Sequence, residues 1–265
     1  NLPLFYNAQA HQTAQITDTL FFQKTMHLFT FKFGQSLSER DIVEDIRQRM
    51  GPSLAIAVPT LIFGIFTNIL LALILLSFRG TRTGHITAHM CITLMSISTL
   101  FYIIGGQYWL SKMAQLVPIS GWQSGLNGLK FILLPVFVSV ISGLGAGSRW
   151  YRAVFEEEWE KDYIRTAKAK GLSEWQLLFK HVVPNGLIPI VTGVVALLPL
   201  LFMGSLLVES FFGIPGLGSY TLDAIQMQDF EIVRVIVFIG TLLYLIGLML
   251  TDVVYTWIDP RIRLH

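Results

Sequence analysis

The chain has 265 residues, 53% of them apolar and only 14% charged, with a mean hydropathy of +0.59. A water-soluble domain of this length needs more polar surface, so the composition describes a polytopic membrane protein, and its bilayer-length apolar runs make the expected fold class an all-α polytopic membrane protein. The net charge of +2 gives no footprint for nucleic acid. The single cysteine, Cys91, lies in an apolar run and excludes both an intrachain disulfide and a cysteine-type metal site.

In chain order, residues 1–52 are polar and mixed, and Asn1 to Thr19 shows no regular period. Leu20 to Phe33 is rich in phenylalanine but carries Lys24, His27 and Lys32. It is too interrupted to cross a bilayer and suits an interface. Gly34-Gln35-Ser36 reads as a turn. Ser38 to Met50 reads as a charged amphipathic helix, capped by Ser38, with Ile42, Val43 and Ile46 on one side. Five apolar runs follow, at 53–78, 86–110, 130–149, 185–208 and 233–257, each near the length of about 20 residues that spans a bilayer. The third contains Pro135 and ends in Gly143, Gly145 and Gly147. Small residues at that spacing let helices approach closely in lipid. They are not a dinucleotide fingerprint, because no strand precedes them.

Loop charges predict the orientation. The first loop carries Arg79 and Arg82 without an acid, the third carries seven basic residues, and the tail carries Arg261 and Arg263. The fourth, from Glu209 to Ile232, is acidic. The third loop and the C-terminus are therefore expected in the cytoplasm, and residues 1–52 outside. No signal peptide is visible at Asn1, so an external start implies a preceding transmembrane helix.

The third loop, Phe155 to Pro184, is the most heavily charged stretch. It reads as two short helices hinged at Gly171. The first has its acids (Glu156, Glu157, Glu158, Glu160, Asp162) at the start and its bases (Arg165, Lys168, Lys170) at the end, as a helix dipole prefers. Gly171 fits a left-handed helix end followed by apolar Leu172. Ser173 and Gln176 fit a capping box, and Pro184 limits the second helix. Thr166, Ala167 and Ala169 form a small-residue face suited to lying against another protein. A well-capped interhelical loop without a partner accounts for the same spacing.

These residues resemble the cytoplasmic coupling loop of ABC importer permeases, most closely the oligopeptide/dipeptide and nickel branch. The family pattern of Glu-Ala-Ala, three residues, Gly, nine residues, Ile-x-Leu-Pro meets Ala167, Gly171 and Pro184, with Arg165-Thr166-Ala167 in the peptide-branch form. A second resemblance covers Val208 to Ile225, where Glu209, Phe212, Pro215, Gly216, Gly218, Asp223 and Ala224 take the family's places. There Pro215-Gly216 is expected to turn tightly, and a short helix to restart near Ser219. Lys130 to Pro135 and Ile258 to Arg261 are similar to the family as well. The resemblance implies a type I ABC importer permease-like helical bundle in the bacterial cytoplasmic membrane. It implies an ATPase-coupling site at Tyr163, Arg165, Thr166, Ala167, Ala169, Lys170, Gly171, Leu172 and Pro184. It also implies a second homologous permease subunit, two ATP-binding cassette ATPase subunits holding ATP and Mg, and an extracytoplasmic solute-binding protein. Peptides are the implied substrate class, with nickel or other small solutes carried by relatives.

No phosphate-binding loop, zinc motif or serine nucleophile elbow occurs in the chain, so no catalytic residue and no bound cofactor is assigned to it. His85 and His89 have ligand spacing but no third partner in view, which favours an interfacial pair over a metal site. Asp252 is the one acid well inside an apolar run and is a candidate for a pairing or pathway role. Trp150, Tyr151, Tyr255 and Trp257 sit where interfacial aromatics anchor. Two other classes fit the composition. One is an ion-coupled secondary carrier, disfavoured by the lack of internal repeats and midplane ion pairs. The other is a non-transporting membrane scaffold.

Overall fold

The computed structural model describes residues 33–258 together with residues 19, 28, 29 and 31. The expectations for Asn1 to Thr19 and for the tail from Asp259 therefore fall almost wholly outside the described residues. The described chain is helical, with one isolated bridge between Gln35 and Asp41. Four helical stretches are long and apolar enough to cross a membrane, and a fifth candidate is a bent pair.

Helix α1 runs from Ile42 to Ser77. Its N-cap is Asp41, whose carboxylate accepts from Val43 N–H at 2.8 Å. The expected cap, Ser38, instead shares a hydrogen bond with the Ser36 hydroxyl. Nor does a separate amphipathic helix end at Met50. The helix passes through Gly51, Pro52 and Pro59, each proline forfeiting one rung of the ladder inside an otherwise apolar stretch.

The second span is broken. Helices α2 (Arg82–Ser96) and α3 (Thr99–Gly106, continued by a wider turn over Gln107–Met113) meet at 90°. The break falls in Ser96-Ile97-Ser98-Thr99, where the Ser96 hydroxyl donates back to the Ile92 carbonyl at 2.8 Å. The Tyr102 hydroxyl donates to the Leu94 carbonyl left near the break, at 2.7 Å.

Helix α4 extends from Leu129 to Glu160, eleven residues past the expected end of its span. Nothing between Ser148 and Glu160 stops a helix, and Arg152 pairs with Glu156 one turn on at 2.8 Å. Short helix α5 (Asp162–Ala169) follows. Then come α6 (Glu174–Leu177), a π turn, α7 (Val183–Leu197) and a 3-10 turn to Met203. Helices α8 (Leu206–Phe212) and α9 (Leu217–Gln226) form a tight pair before α10 (Phe230–Ile258).

Three apolar clusters hold the bundle. One joins Ala72 and Leu76 of α1 to Tyr151 and Phe155 of α4, Ile164 and Ala167 of α5, and Leu177 and Val182. The second joins Ile56, Ile103, Leu134 and Phe212. The third joins Ile42 to Leu217, Tyr220 and Val235, with Leu28 against it. The ends of α1 therefore carry different neighbours: α5 at the C-terminal end, the α8–α9 pair at the N-terminal end. Of the three expected packing glycines, Gly145 lies against the Cys91 carbonyl and Met95 N, and Gly147 against Asn68, whereas a Cβ on Gly143 would meet nothing within 4 Å.

Candidate functional site

Two sites face opposite ends of the bundle. The first is built on α5. After Glu160, Lys161 turns extended (φ −67°, ψ 149°) and α5 begins, with Asp162 in its first turn and Lys168 in its last. The acids Glu156, Glu157, Glu158 and Glu160 thus belong to the C-terminal end of α4, not to the start of the loop helix. A helix C-terminus disfavours them, and the Arg152–Glu156 and Lys161–Glu158 pairs offset this.

The end of α5 is a Schellman cap. Leu172 N–H donates to the Ala167 carbonyl at 3.4 Å and Gly171 N–H to the Lys168 carbonyl at 3.0 Å. Gly171 has φ +86°, a conformation that costs a side-chain-bearing residue. Leu172 packs on the first apolar cluster. Ser173 and Gln176 complete a capping box, so α6 restarts three residues past the glycine.

The faces of α5 differ from the sequence expectation in one respect. Ile164 and Ala167 are buried, at 2% and 8% exposure. Ala167 therefore packs into this chain's own core and is no part of an outer docking face. Arg165, Thr166, Ala169, Lys170 and Gly171 are exposed, as is Pro184 in the first turn of α7. Tyr163 lies between the two sets. Its hydroxyl donates to Glu158 Oε2 at 2.6 Å and accepts from Asn185 Nδ2 at 3.3 Å. Shelter of that hydroxyl, then the Glu158 carboxylate beside it, pushes the Tyr163 phenol up to about 12.

The second site centres on Glu209, in α8, at 1% exposure. Its carboxylate accepts from Ser205 N–H and Ser219 N–H, both at 3.1 Å. The Ser53 hydroxyl and Gly218 N–H also serve it, and burial nonetheless pushes its carboxyl above the ordinary range. Ser53 Oγ in turn accepts from Leu217 N–H at 2.8 Å. One carboxylate thus pins the start of α8, the start of α9 and α1 together. Gly204 and Gly216 are small because a Cβ on either would strike Glu209 and Ser53, and one on Gly218 would strike the Ser205 backbone. The chain turns at Gly213 (φ +64°) and again, as expected, at Pro215-Gly216, where Gly216 N–H donates to the Ile214 carbonyl at 2.8 Å. Helix α9 starts at Leu217, two residues before the expected restart. Pro215 and Asp223 are exposed. A cavity of about 330 Å³ opens beside this latch, lined by Thr60, Thr99, Ser139, Ser142 and Ser205 among others.

The same end is closed by Asp229, 4% exposed, which accepts from Leu37 N–H at 2.8 Å. Tyr220 donates to Asp45 Oδ2 at 3.0 Å, and Arg49 stacks on its ring. Sequence reasoning did not single out Ser53, Glu158, Asn185 or Tyr220 as site residues. For Glu158 the signal was present. It continues the inward stripe Ser148, Tyr151, Phe155 at spacings of three and four. Asp252 is exposed on α10, with no ion-pair partner among the described residues. His89 Nδ1 lies 2.7 Å from the His85 carbonyl.

Residues 69–264, which contain α5 and the α8–α9 pair, match the family of binding-protein-dependent transport system inner membrane components. The chain belongs to this family. The permease is 29% identical over 258 residues to the dipeptide transport system permease protein DppB of Bacillus subtilis, covering 94% of this chain and 82% of that one. It is 27% identical to the glutathione transport system permease protein GsiC of Escherichia coli O1:K1 / APEC, covering 87% and 74%. Among solved structures, the permease shares the fold of the MetNI methionine ABC transporter in inward-facing conformations. The TM-score is 0.60 at 15% identity, over 79% of this chain and 95% of that one. An amino acid ABC transporter gives 0.59 at 12%, over 83% and 95%. The fold is therefore that of an ABC importer permease, a multi-pass membrane component of a transport complex.

Proposed function

We propose that this permease couples ATP hydrolysis on partner subunits to the import of peptides or a related small solute across a bacterial cytoplasmic membrane. The partners in this reading are a second homologous permease chain, two ATP-binding cassette subunits that hold ATP and Mg, and an extracytoplasmic solute-binding protein. The C-terminus and α5 face the cytoplasm, and residues 1–52 with the α8–α9 pair face outward. The observation that carries the reading is α5 itself. It is a separate eight-residue helix, capped at its end by Gly171, with a polar outer face and an apolar inner face seated on α1, α4 and the α6–α7 elbow. Such a helix presents Arg165, Thr166, Ala169 and Lys170 to a partner and passes displacement inward. The dipeptide and glutathione names of the relatives support a peptide-like solute.

Reconstitution tests the reading. Vesicles carrying the permease, its partner permease and the ATPase subunits should accumulate a dipeptide when ATP and the binding protein are supplied, and not without them. Accumulation driven by an ion gradient without ATPase subunits would establish a secondary carrier instead. Copurification of ATPase subunits with no solute movement under any condition would establish a scaffold.

A further inference from the structure

Helix α5 is seated on the core by two side chains, Ile164 and Ala167. Residues three apart lie along one face, so these two define a line close to the helix axis, about which a short helix can roll. Tyr163 is one residue from Ile164, rotated by about 100° around the axis, and its hydroxyl reaches off that line. It donates to Glu158 Oε2 at 2.6 Å, on α4, and accepts from Asn185 Nδ2 at 3.3 Å, in the first turn of α7. Asn185 Nδ2 also donates to the His181 carbonyl at 2.7 Å, which fixes its amide. Glu158 is 8% exposed, and its other oxygen is paired by Lys161. Gly186 sits under the same contact, where any Cβ would strike the Phe155 ring. That lets α7 close on α4 tightly enough for the bonds to form.

We propose that Glu158, Tyr163 and Asn185 form a clamp that stops α5 rolling, so that a push on its outer face moves α4 and α7 together. Resting on the reading of α5 as the helix that meets the ATPase, this makes Tyr163 a positioning residue. It joins one short helix to both flanking spans through a single hydroxyl. A buried carboxylate is costly unless hydrogen-bonded, and Lys161 and Tyr163 supply those bonds here. With the clamp broken, the apolar seat remains, but part of each stroke is spent rotating α5.

The test is the number of solute molecules imported per ATP hydrolysed by the full complex in vesicles. Tyr163→Phe removes only the hydroxyl, and Asn185→Ala cuts only the α7 side. A hydrogen bond of about 0.5–1.5 kcal/mol corresponds to a roughly two- to twelvefold shift in the rolled population. Each variant should lower the ratio, by at most that factor. Glu158→Gln keeps an acceptor for Tyr163 and should hold the ratio nearer wild type than Glu158→Leu. An unchanged ratio in both Tyr163→Phe and Asn185→Ala, with a wild-type complex that couples, overturns the clamp. Loss of import and hydrolysis in equal proportion, with a lowered melting temperature, also overturns it by assigning the residues to folding. A wild-type complex that shows no ATP-dependent import would refute the wider functional reading instead.

Discussion

Substitution of Gly171 separates backbone strain from steric bulk. The residue has φ +86°, and a Cβ built on it would meet nothing within 4 Å. Any penalty therefore comes from the left-handed backbone alone. For an ordinary L-residue that is about 1–2 kcal/mol, which is roughly a five- to thirtyfold change in the equilibrium between a seated and an unseated α5. Asn, which tolerates this region, should cost least, Ala about 1 kcal/mol or more, and Val the most because it is β-branched. Hydrogen exchange reads this directly. The Leu172 and Gly171 amides, bonded to Ala167 and Lys168, should exchange faster by those factors in the order Asn, Ala, Val. ATP-dependent import should fall in the same order. Equal exchange in Gly171→Asn and Gly171→Val, or faster exchange confined to residues outside 162–177, would refute the strain argument. Unchanged import in Gly171→Val would count against α5 as the coupling element.

Ala167→Trp places a large ring in the buried seat of α5, so it should lower the thermal stability of the purified permease by about 1–3 kcal/mol or more. Thr166→Trp, on the exposed face, should leave melting unchanged and reduce capture of the ATPase subunits in a pull-down. Glu209→Gln sets an amide donor against Ser205 or Ser219 N–H and should cost about 1–3 kcal/mol. Gly216→Ala should cost a similar amount through contact with Glu209 and Ser53, and denaturant titration of both variants checks these values. Tyr163 has its phenol raised from about 10 to about 12, so the folded state holds a proton that the unfolded state releases. Its contribution to stability is complete below pH 10 and is lost as the pH rises toward 12. Ultraviolet titration of wild type against Tyr163→Phe should show one tyrosine ionising late.

The caps and turns of the third loop were legible in the sequence because they are local. Gly171, Leu172, Ser173 and Gln176 fix the break between α5 and α6 through bonds that reach no further than six residues. The facing of α5 was not legible, because small side chains such as Ala167 and Ala169 look alike in sequence. Only Ala167 falls three residues from Ile164 on the seated line. The extent of α4 was missed because its charged end reads as a new helix once the apolar run stops. The inward stripe Ser148, Tyr151, Phe155 and Glu158 shows that it continues. The bend between α2 and α3 follows from four residues whose hydropathy is ordinary for a span. In sequence Gly204 lies inside an expected span and Gly216 in an expected turn. In the structure they make room for a carboxylate carried by another helix, a contact that spacing does not encode.

Both sites act on α1. Leu76 and Ala72 lie in the cluster that seats α5, and Ser53 holds the α8–α9 latch through Leu217 N–H and Glu209. The two are separated by roughly 35 Å of helix rise. Along that distance α1 lies against α4, closely enough at Gly147 that a Cβ would strike Asn68. Packed helices are not continuously deformable, so under the proposed mechanism a displacement delivered at α5 reaches the latch as movement of the α1–α4 pair, not as bending within it. The latch must then yield or follow. Its bonds are numerous but short-ranged, and they converge on one carboxylate and the Ser53 hydroxyl beside it, which makes a two-position response more natural than a graded one. Cross-linking α1 to α9 through cysteines at Ser53 and Leu217, in a Cys91→Ser background, should therefore block import while leaving ATPase capture intact. If import continues with the cross-link complete, the latch follows α1 without opening and the two-position response is the wrong picture.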